Sequence, residues 1–246
     1  MRKVAVFLHG NPGGSIDFSE LMQHLSLGSD TDILMHERPR EGALISDVIK
    51  GLEARVFSKD YDQVYVIAYS WGCYLAGVWL TQTVVPIEKI IFICPTLVAE
   101  NPIKPIVNLL SRMPLLGPLL LKRKAPRLAN EFIEKCFSPL KANVVQHHKM
   151  MSELHNPAIW RGAIDYKFQQ QSQAMPKLDM DADRLIIVRG LEDKSTTWSI
   201  QKQCLNKVVD PLANAQLNEI SGVGHALMWS DSEHVAELIN NAVAGG

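Results

Sequence analysis

The chain has 246 residues, with 25 Lys and Arg against 26 Asp and Glu, for a formal net charge of -1 at pH 7. At 47% hydrophobic and 21% charged it holds ample apolar material for a core, which excludes a disordered chain. The length suits one domain, or one domain with a large insertion, and the charge balance gives no overall electrostatic footprint for nucleic acid or an anionic membrane.

The first apolar run, Val4–Leu8, is broken by His9 and Gly10 and is too short for a secretory leader. Its β-branched and aromatic side chains read as a strand buried on both faces, as in parallel sheets. Similar runs recur at Asp32–Met35, Val64–Ala68, Lys89–Cys94 and Leu185–Arg189, and a weaker, more alternating one at Ala215–Ile220. Helical spacing predicts helices over Ser15–Leu25, Ala43–Phe57, Gly72–Thr83, Ser199–Val209 and Glu233–Val243. Strands alternating with helices of this length predict βαβ units and a mostly parallel sheet of about six strands, covered by helices on both faces.

From about Val98 to Asp181 no comparable strand appears. Prolines punctuate this stretch, and short helical patches are expected at Ile106–Arg112, Arg127–Phe137, Lys141–His148 and Ile159–Met175. The leucine-rich run Leu109–Leu121 admits a lipid-interface role. The simpler expectation is that it packs against the main body, and that Pro114 and Pro118 prevent one long helix. No run approaches the roughly 18 apolar residues of a membrane span, so stable membrane insertion is not expected. His147 and His148 lack a ligand at helical spacing, so no metal site is expected there. Cys73, Cys94, Cys136 and Cys204 are widely spaced, with no C-x-x-C pair, as for reduced thiols in a cytoplasmic protein.

Chemistry concentrates where strands end. The run VYVIA leads into Tyr69-Ser70-Trp71-Gly72 and then a helix. A serine at such a turn projects its hydroxyl from the sheet, and free N–H groups at the helix start face an anion. Ala68 and Gly72, small residues two before and two after Ser70, relieve crowding there, so Ser70 is the candidate nucleophile. After the first strand, His9-Gly10-Asn11-Pro12-Gly13-Gly14 is placed to offer a backbone N–H to a developing oxyanion. Asn11 and Trp71 are the candidate donors. His9 reads as a structural histidine bonding within its own loop. The loop lacks both nucleotide-binding glycine patterns.

His225, in the glycine-rich loop Ser221–Ala226, is the best placed of the eight histidines to act as base. Glu192 and Asp193 follow the strand LIIVR, and either carboxylate can orient that histidine; Asp193 is favoured. Asp179, Asp181 and Asp183 precede the same strand, at its wrong end, and read as solvated linker. Open α/β sheets place ligands at the carboxyl ends of their strands, where all these pieces lie.

Together HGNPGG at 9–14, AYSWG at 68–72, GLED at 190–193 and GVGH at 222–225 resemble the α/β-hydrolase superfamily over nearly the whole chain. The resemblance implies a Ser70–Asp193–His225 triad in that serial order. It also implies a core of residues 1–97 and 182–246, with residues 98–181 inserted as a helical lid. Two departures stand out. The N-terminal hairpin usual in the family should be absent, and Ala68 replaces the first elbow glycine. His36-Glu37-Arg38-Pro39 borders the site and makes Arg38 and Arg40 candidates for substrate contact. The expected activity is hydrolysis of an ester or thioester of a small molecule with an apolar acyl or alkyl part, without cofactor or metal. A carbon–carbon bond hydrolase or related lyase, and a non-catalytic binding protein on the same fold, are the alternatives.

Overall fold

The computed structural model describes residues 1–245. Val4, Val6 and Leu8 turn to one side of the first strand and Ala5 and Phe7 to the other, and all five are buried. A strand apolar on both faces needs cover on both. Six strands share this sheet: β1 (Lys3–Leu8), β2 (Thr31–His36), β3 (Gln63–Tyr69), β4 (Ile87–Ile93), β5 (Leu185–Gly190) and β6 (Gln216–Ile220). They pair in the order β2-β1-β3-β4-β5-β6, every pair parallel. No strand precedes β1 among the described residues. The faint pattern of β6 has a positional cause: it is an edge strand, largely solvent-exposed.

Nine helices accompany the strands among the described residues: α1 (Ile45–Val56), α2 (Trp71–Leu80), α3 (Pro105–Arg112), α4 (Leu116–Phe137), α5 (Val144–Leu154), α6 (Pro157–Gln171), α7 (Trp198–Val208), α8 (Leu227–Ser230) and α9 (Ser232–Ala244). Helices α1, α2 and α7 pack Leu52, Leu75 and Leu205 on the face that carries Val4 and Val66. Helix α9 packs Val235 and Ile239 on the opposite face, beside Phe7 and Ile67. Helices α3 to α6 lie between β4 and β5, and α4, α5 and α6 share a core of their own, built on Ala125, Ile133, Leu154 and Trp160, which includes Ala226 and Trp229 of the main body.

Three expectations are corrected. Residues Ser15–Leu25 do not form one helix but two 3₁₀ turns, Ser15–Phe18 and Leu21–Gln23. Phe18 and Leu21 anchor them in the core, while the Asp17 carboxylate turns inward to the Gly10 N–H at 3.0 Å. Pro114 does part α3 from α4, as expected, but the patch expected at Arg127–Phe137 belongs to a longer helix, since α4 runs 22 residues through Pro126. Pro118 lies in its first turn, where no backbone bond is lost. Pro126 removes one bond, and the exposure of Lys122, four residues back, keeps the freed carbonyl within reach of water. Finally, the leucine-rich run does not pack inward as a whole. Leu121 is buried, but Leu115 is 89% and Leu119 66% exposed.

Helix α2 starts so close to β1 that Gly72 has no room for a side chain. An added Cβ would collide with the Leu8 carbonyl. Gly72→Ala is therefore expected to destabilise the fold by about 1–3 kcal/mol. A urea midpoint equal to that of the wild type would refute this close approach.

Candidate active site

Ser70 joins β3 to α2 with φ 54° and ψ −121°, a backbone conformation that costs a residue with a Cβ roughly 1–3 kcal/mol. Neighbouring backbone groups hold it there. The Ser70 N–H donates to Ile93 at 2.8 Å, and its carbonyl accepts from Cys73 and Thr96, each at 3.1 Å. The hydroxyl is thereby fixed at the carboxyl edge of the sheet.

The loop after β6 brings His225 to it, with Nε2 2.9 Å from Ser70 Oγ. On the other side of the ring Nδ1 lies 2.7 Å from Asp193 Oδ2, beyond the end of β5. Accepting the serine proton at Nε2 requires hydrogen on Nδ1, and Asp193 receives it. Asp193 is held in turn by the N–H groups of Ser195 (2.7 Å) and Thr196 (3.2 Å) and by the Thr196 hydroxyl (3.0 Å). Burial opposes its charge, but the His225 ring and these donors outweigh that and keep its pKa below the usual carboxylate value. Glu192, the competing carboxylate, makes no bond to the ring, and its Oε2 is buried without a partner. The Tyr69 hydroxyl donates to the His225 carbonyl at 3.1 Å, and the two rings lie 5.3 Å apart. Gly190 matters here because a Cβ would strike the Val223 and Gly224 carbonyls of the histidine loop.

Asn11 and Trp71 border the same cavity as Ser70 and His225. The Asn11 side-chain amide donates to the Ala163 carbonyl of α6 at 3.0 Å, which ties this loop to the insertion. The cavity, about 570 Å³, is walled by Ile103, Leu110, Leu128, Phe132, Trp160 and Ile164. Of the five tryptophans, Trp71 and Trp160 line it, while Trp79 is fully buried core. Sequence reasoning missed Thr96, whose hydroxyl lies 3.3 Å from Ser70 Oγ and whose carbonyl accepts from Gln170 of α6 at 3.0 Å. No local pattern marks it. The Asp193 turn, by contrast, has a local cause, since Ser195 and Thr196 follow the aspartate within reach of its carboxylate.

The sequence matches the profile described as "Alpha/beta hydrolase family" over residues 5–238. The chain belongs to the alpha/beta hydrolase family. No curated protein sequence matches it. Among solved structures, the carboxylesterase CesB (YbfK) from Bacillus subtilis is 13% identical, with a TM-score of 0.63 over 100% of this chain and 85% of its own. An esterase from Exiguobacterium antarcticum is 15% identical, with a TM-score of 0.68 over 98% and 92% of the two chains. The epoxide hydrolase CorEH gives 14% and 0.68 over 100% and 92%. At such identities the likeness shows the shared fold.

In this alpha/beta hydrolase the loop that carries Asn11 rests on buried charge. Arg38 donates to the Gly10 carbonyl and lies 2.9 Å from His9 Nδ1, its guanidinium over the rings of Trp71 (4.4 Å) and Tyr166 (5.0 Å). Arg38 thus props the loop from below and is not part of the cavity wall. Arg40 pairs with Glu153 at 3.0 Å. Burial lowers the Arg38 pKa to about 10 and, helped by Arg38, holds His9 well below its ordinary value, so His9 is a neutral structural residue. The Cys94 thiol, Asp193 and His225 converge within 4.8 Å. Burial pushes the thiol well above its usual pKa, and Asp193 is engaged by the ring, so the trio lacks the free anionic donors a cation needs.

Burial raises Asp17, beneath the same loop, from 3.8 to about 7, against the Gly10 N–H and Arg38, which favour its charge. Between about pH 4 and 7 the native state keeps a proton that the unfolded chain has lost. The contribution of this group therefore falls as pH rises through that window, by up to about 1.4 kcal/mol per pH unit, and levels off above it. The stability of the wild type relative to Asp17→Asn should decline from pH 5 to pH 7.5 in denaturant titrations. A difference independent of pH would refute the burial of this carboxyl.

Proposed function

We propose that this hydrolase cleaves a carboxylic ester or thioester through an acyl-enzyme on Ser70. The observation that carries the reading is the unbroken chain from Ser70 Oγ to His225 Nε2 at 2.9 Å and from His225 Nδ1 to Asp193 at 2.7 Å. As Oγ attacks the carbonyl carbon, Nε2 takes the serine proton, and Asp193 stabilises the imidazolium. The oxyanion is received by the N–H groups of Asn11 and Trp71, about 3–4 kcal/mol for each donor. The carbon–oxygen or carbon–sulfur bond then breaks, and the imidazolium proton leaves with the alcohol or thiol. Water attacks the acyl-enzyme, gives its proton to His225, and Ser70 regains its hydrogen as the acid departs. The cycle balances on substrate and one water and calls for no cofactor.

Serine chemistry also separates this reading from the epoxide hydrolase and haloalkane dehalogenase whose fold the chain shares. A serine alkoxide opening an epoxide or displacing a halide would form an ether, which offers water no carbonyl to attack. Acyl substrates let Ser70 turn over. The apolar cavity walls favour an apolar acyl or alkyl part. We take residues 98–181 as the lid over a core of residues 1–97 and 182–246. A cytoplasmic site of action agrees with four unpaired cysteines, three of them buried.

A fluorophosphonate probe should label the wild type and not Ser70→Ala. With p-nitrophenyl esters of graded chain length, Ser70→Ala and His225→Ala should lower kcat by about 10⁶-fold. Asp193→Asn should lower it by about 10⁴-fold, through the wrong tautomer. Full labelling of Ser70→Ala, or turnover of a diketone panel with no ester or thioester hydrolysis, would overturn the reading.

A further inference from the structure

The apolar side chains that fail to pack inward concentrate in α3, the start of α4 and the connection between them. Ile106 and Leu109 of α3, Met113 and Leu115 of the connection, and Leu119 of α4 are all exposed, with Leu109 at 62%. Exposed apolar side chains concentrated in one short stretch of chain point to a site of interaction. It also reaches the cavity, because Val107 and Leu120 are exposed and line its wall.

Its charge is one-sided. Residues 102–130 hold six basic residues, Lys104, Arg112, Lys122, Arg123, Lys124 and Arg127, and no Asp or Glu, in a chain whose net charge is -1. Arg112 pairs with Asp165 and Arg127 with Glu131. Lys104, Lys122, Arg123 and Lys124 are exposed and have no acidic partner within 4.0 Å among the described residues.

We propose that this face of α3 and the start of α4 docks on an anionic lipid surface, with the leucines in the acyl–headgroup boundary and the basic residues on the headgroups. Aliphatic side chains beside Lys and Arg are the pattern of helices that lie in a bilayer interface. A second copy is a poor occupant, because a two-fold contact would set the same four unpaired cations against each other. A protein partner is disfavoured by composition. Residues 98–131 contain no Tyr, Trp or Phe, the side chains on which protein interfaces are usually built. No helix among the described residues is long and apolar enough to cross a membrane, so the contact is peripheral. The face would deliver a lipid-borne acyl chain past Val107 and Leu120 to Ser70, but the docking stands independently of any activity.

The test is co-sedimentation of the full chain with vesicles of phosphatidylcholine alone or with about 30% phosphatidylglycerol, at about 0.1 M salt. The wild type should bind the anionic vesicles at least about tenfold more tightly, and less tightly as salt rises. Leu115→Ser with Leu119→Ser should weaken binding about tenfold or more and leave the melting midpoint unchanged, since both side chains are exposed. Lys122→Glu with Arg123→Glu should abolish the preference for anionic vesicles. Leu115→Trp should report a blue-shifted emission on anionic vesicles. Failure to bind either vesicle overturns the proposal, as does wild-type affinity in the Leu115→Ser, Leu119→Ser variant. So does a dimer in light scattering that the leucine substitutions dissociate, which would assign the face to a second copy. An acidic protein that binds the face when vesicles do not would overturn it as well.

Discussion

A strained serine governs the geometry of this protein. At φ 54° Ser70 sits where a residue with a Cβ does not stay unaided, and bonds to the backbone of Ile93, Cys73 and Thr96 keep it there. The bond to Ile93 exists because β3 is a central strand, paired with β1 on one side and β4 on the other. The same parallel pairing brings the ends of β5 and β6 to a common edge, so a carboxylate from the β5–β6 crossover and an imidazole from the loop after β6 meet the hydroxyl without long loops. Three residues far apart in sequence converge because the strands share one direction.

A second constraint lies beneath the loop after β1. Three ionisable groups, His9, Asp17 and Arg38, are buried together around Gly10. Burying a guanidinium is costly unless it is hydrogen-bonded and faced by groups that favour its charge. Here the Gly10 carbonyl, His9, the faces of Trp71 and Tyr166, and the Asp17 carboxyl supply that environment. The Gly10 peptide is thus gripped at both ends, its N–H neighbourhood by Asp17 and its carbonyl by Arg38, one residue before Asn11. Trp71 is held from the other side by the same arginine. The two backbone donors proposed for the oxyanion therefore share one buried support.

Much of this was legible in the residues. Central strands buried on both faces leave unbroken apolar runs, and A-x-S-x-G, GLED and GVGH stand where strands end, so sheet and triad could be read together. What could not be read depended on partners distant in sequence. Phe18 and Leu21 suggested a helix by their spacing, but Asp17 is drawn to Gly10 and breaks the segment into turns. Thr96 touches Ser70 only because Cys94, at φ 46°, turns the chain beyond β4. Arg38 stood in a loop, where arginines are usually solvated, and only the fold shows it roofed by Trp71 and Tyr166. Proline counting failed in α4 because a proline in the first turn costs nothing and one on an exposed flank costs little.

Net charge was the least informative quantity, since it averages over a polarised surface. Removing residues 102–130 leaves 19 basic against 26 acidic residues in the rest of the chain. The helical insertion is thus a positive pole on an otherwise negative protein. Near a negative surface such a molecule is turned as well as attracted, because the field pulls on the insertion and repels the body within about a Debye length. The turned pose puts Leu115 and Leu119 forward, and Val107 and Leu120 lead from there into the cavity over Ser70. Had these leucines evolved only to pack the insertion on its core, burial would have claimed them as it claims Leu121 and Ile133 on the inward side of α4. Their exposure is a cost in water that folding alone does not recover, and a lipid boundary is the environment that removes it.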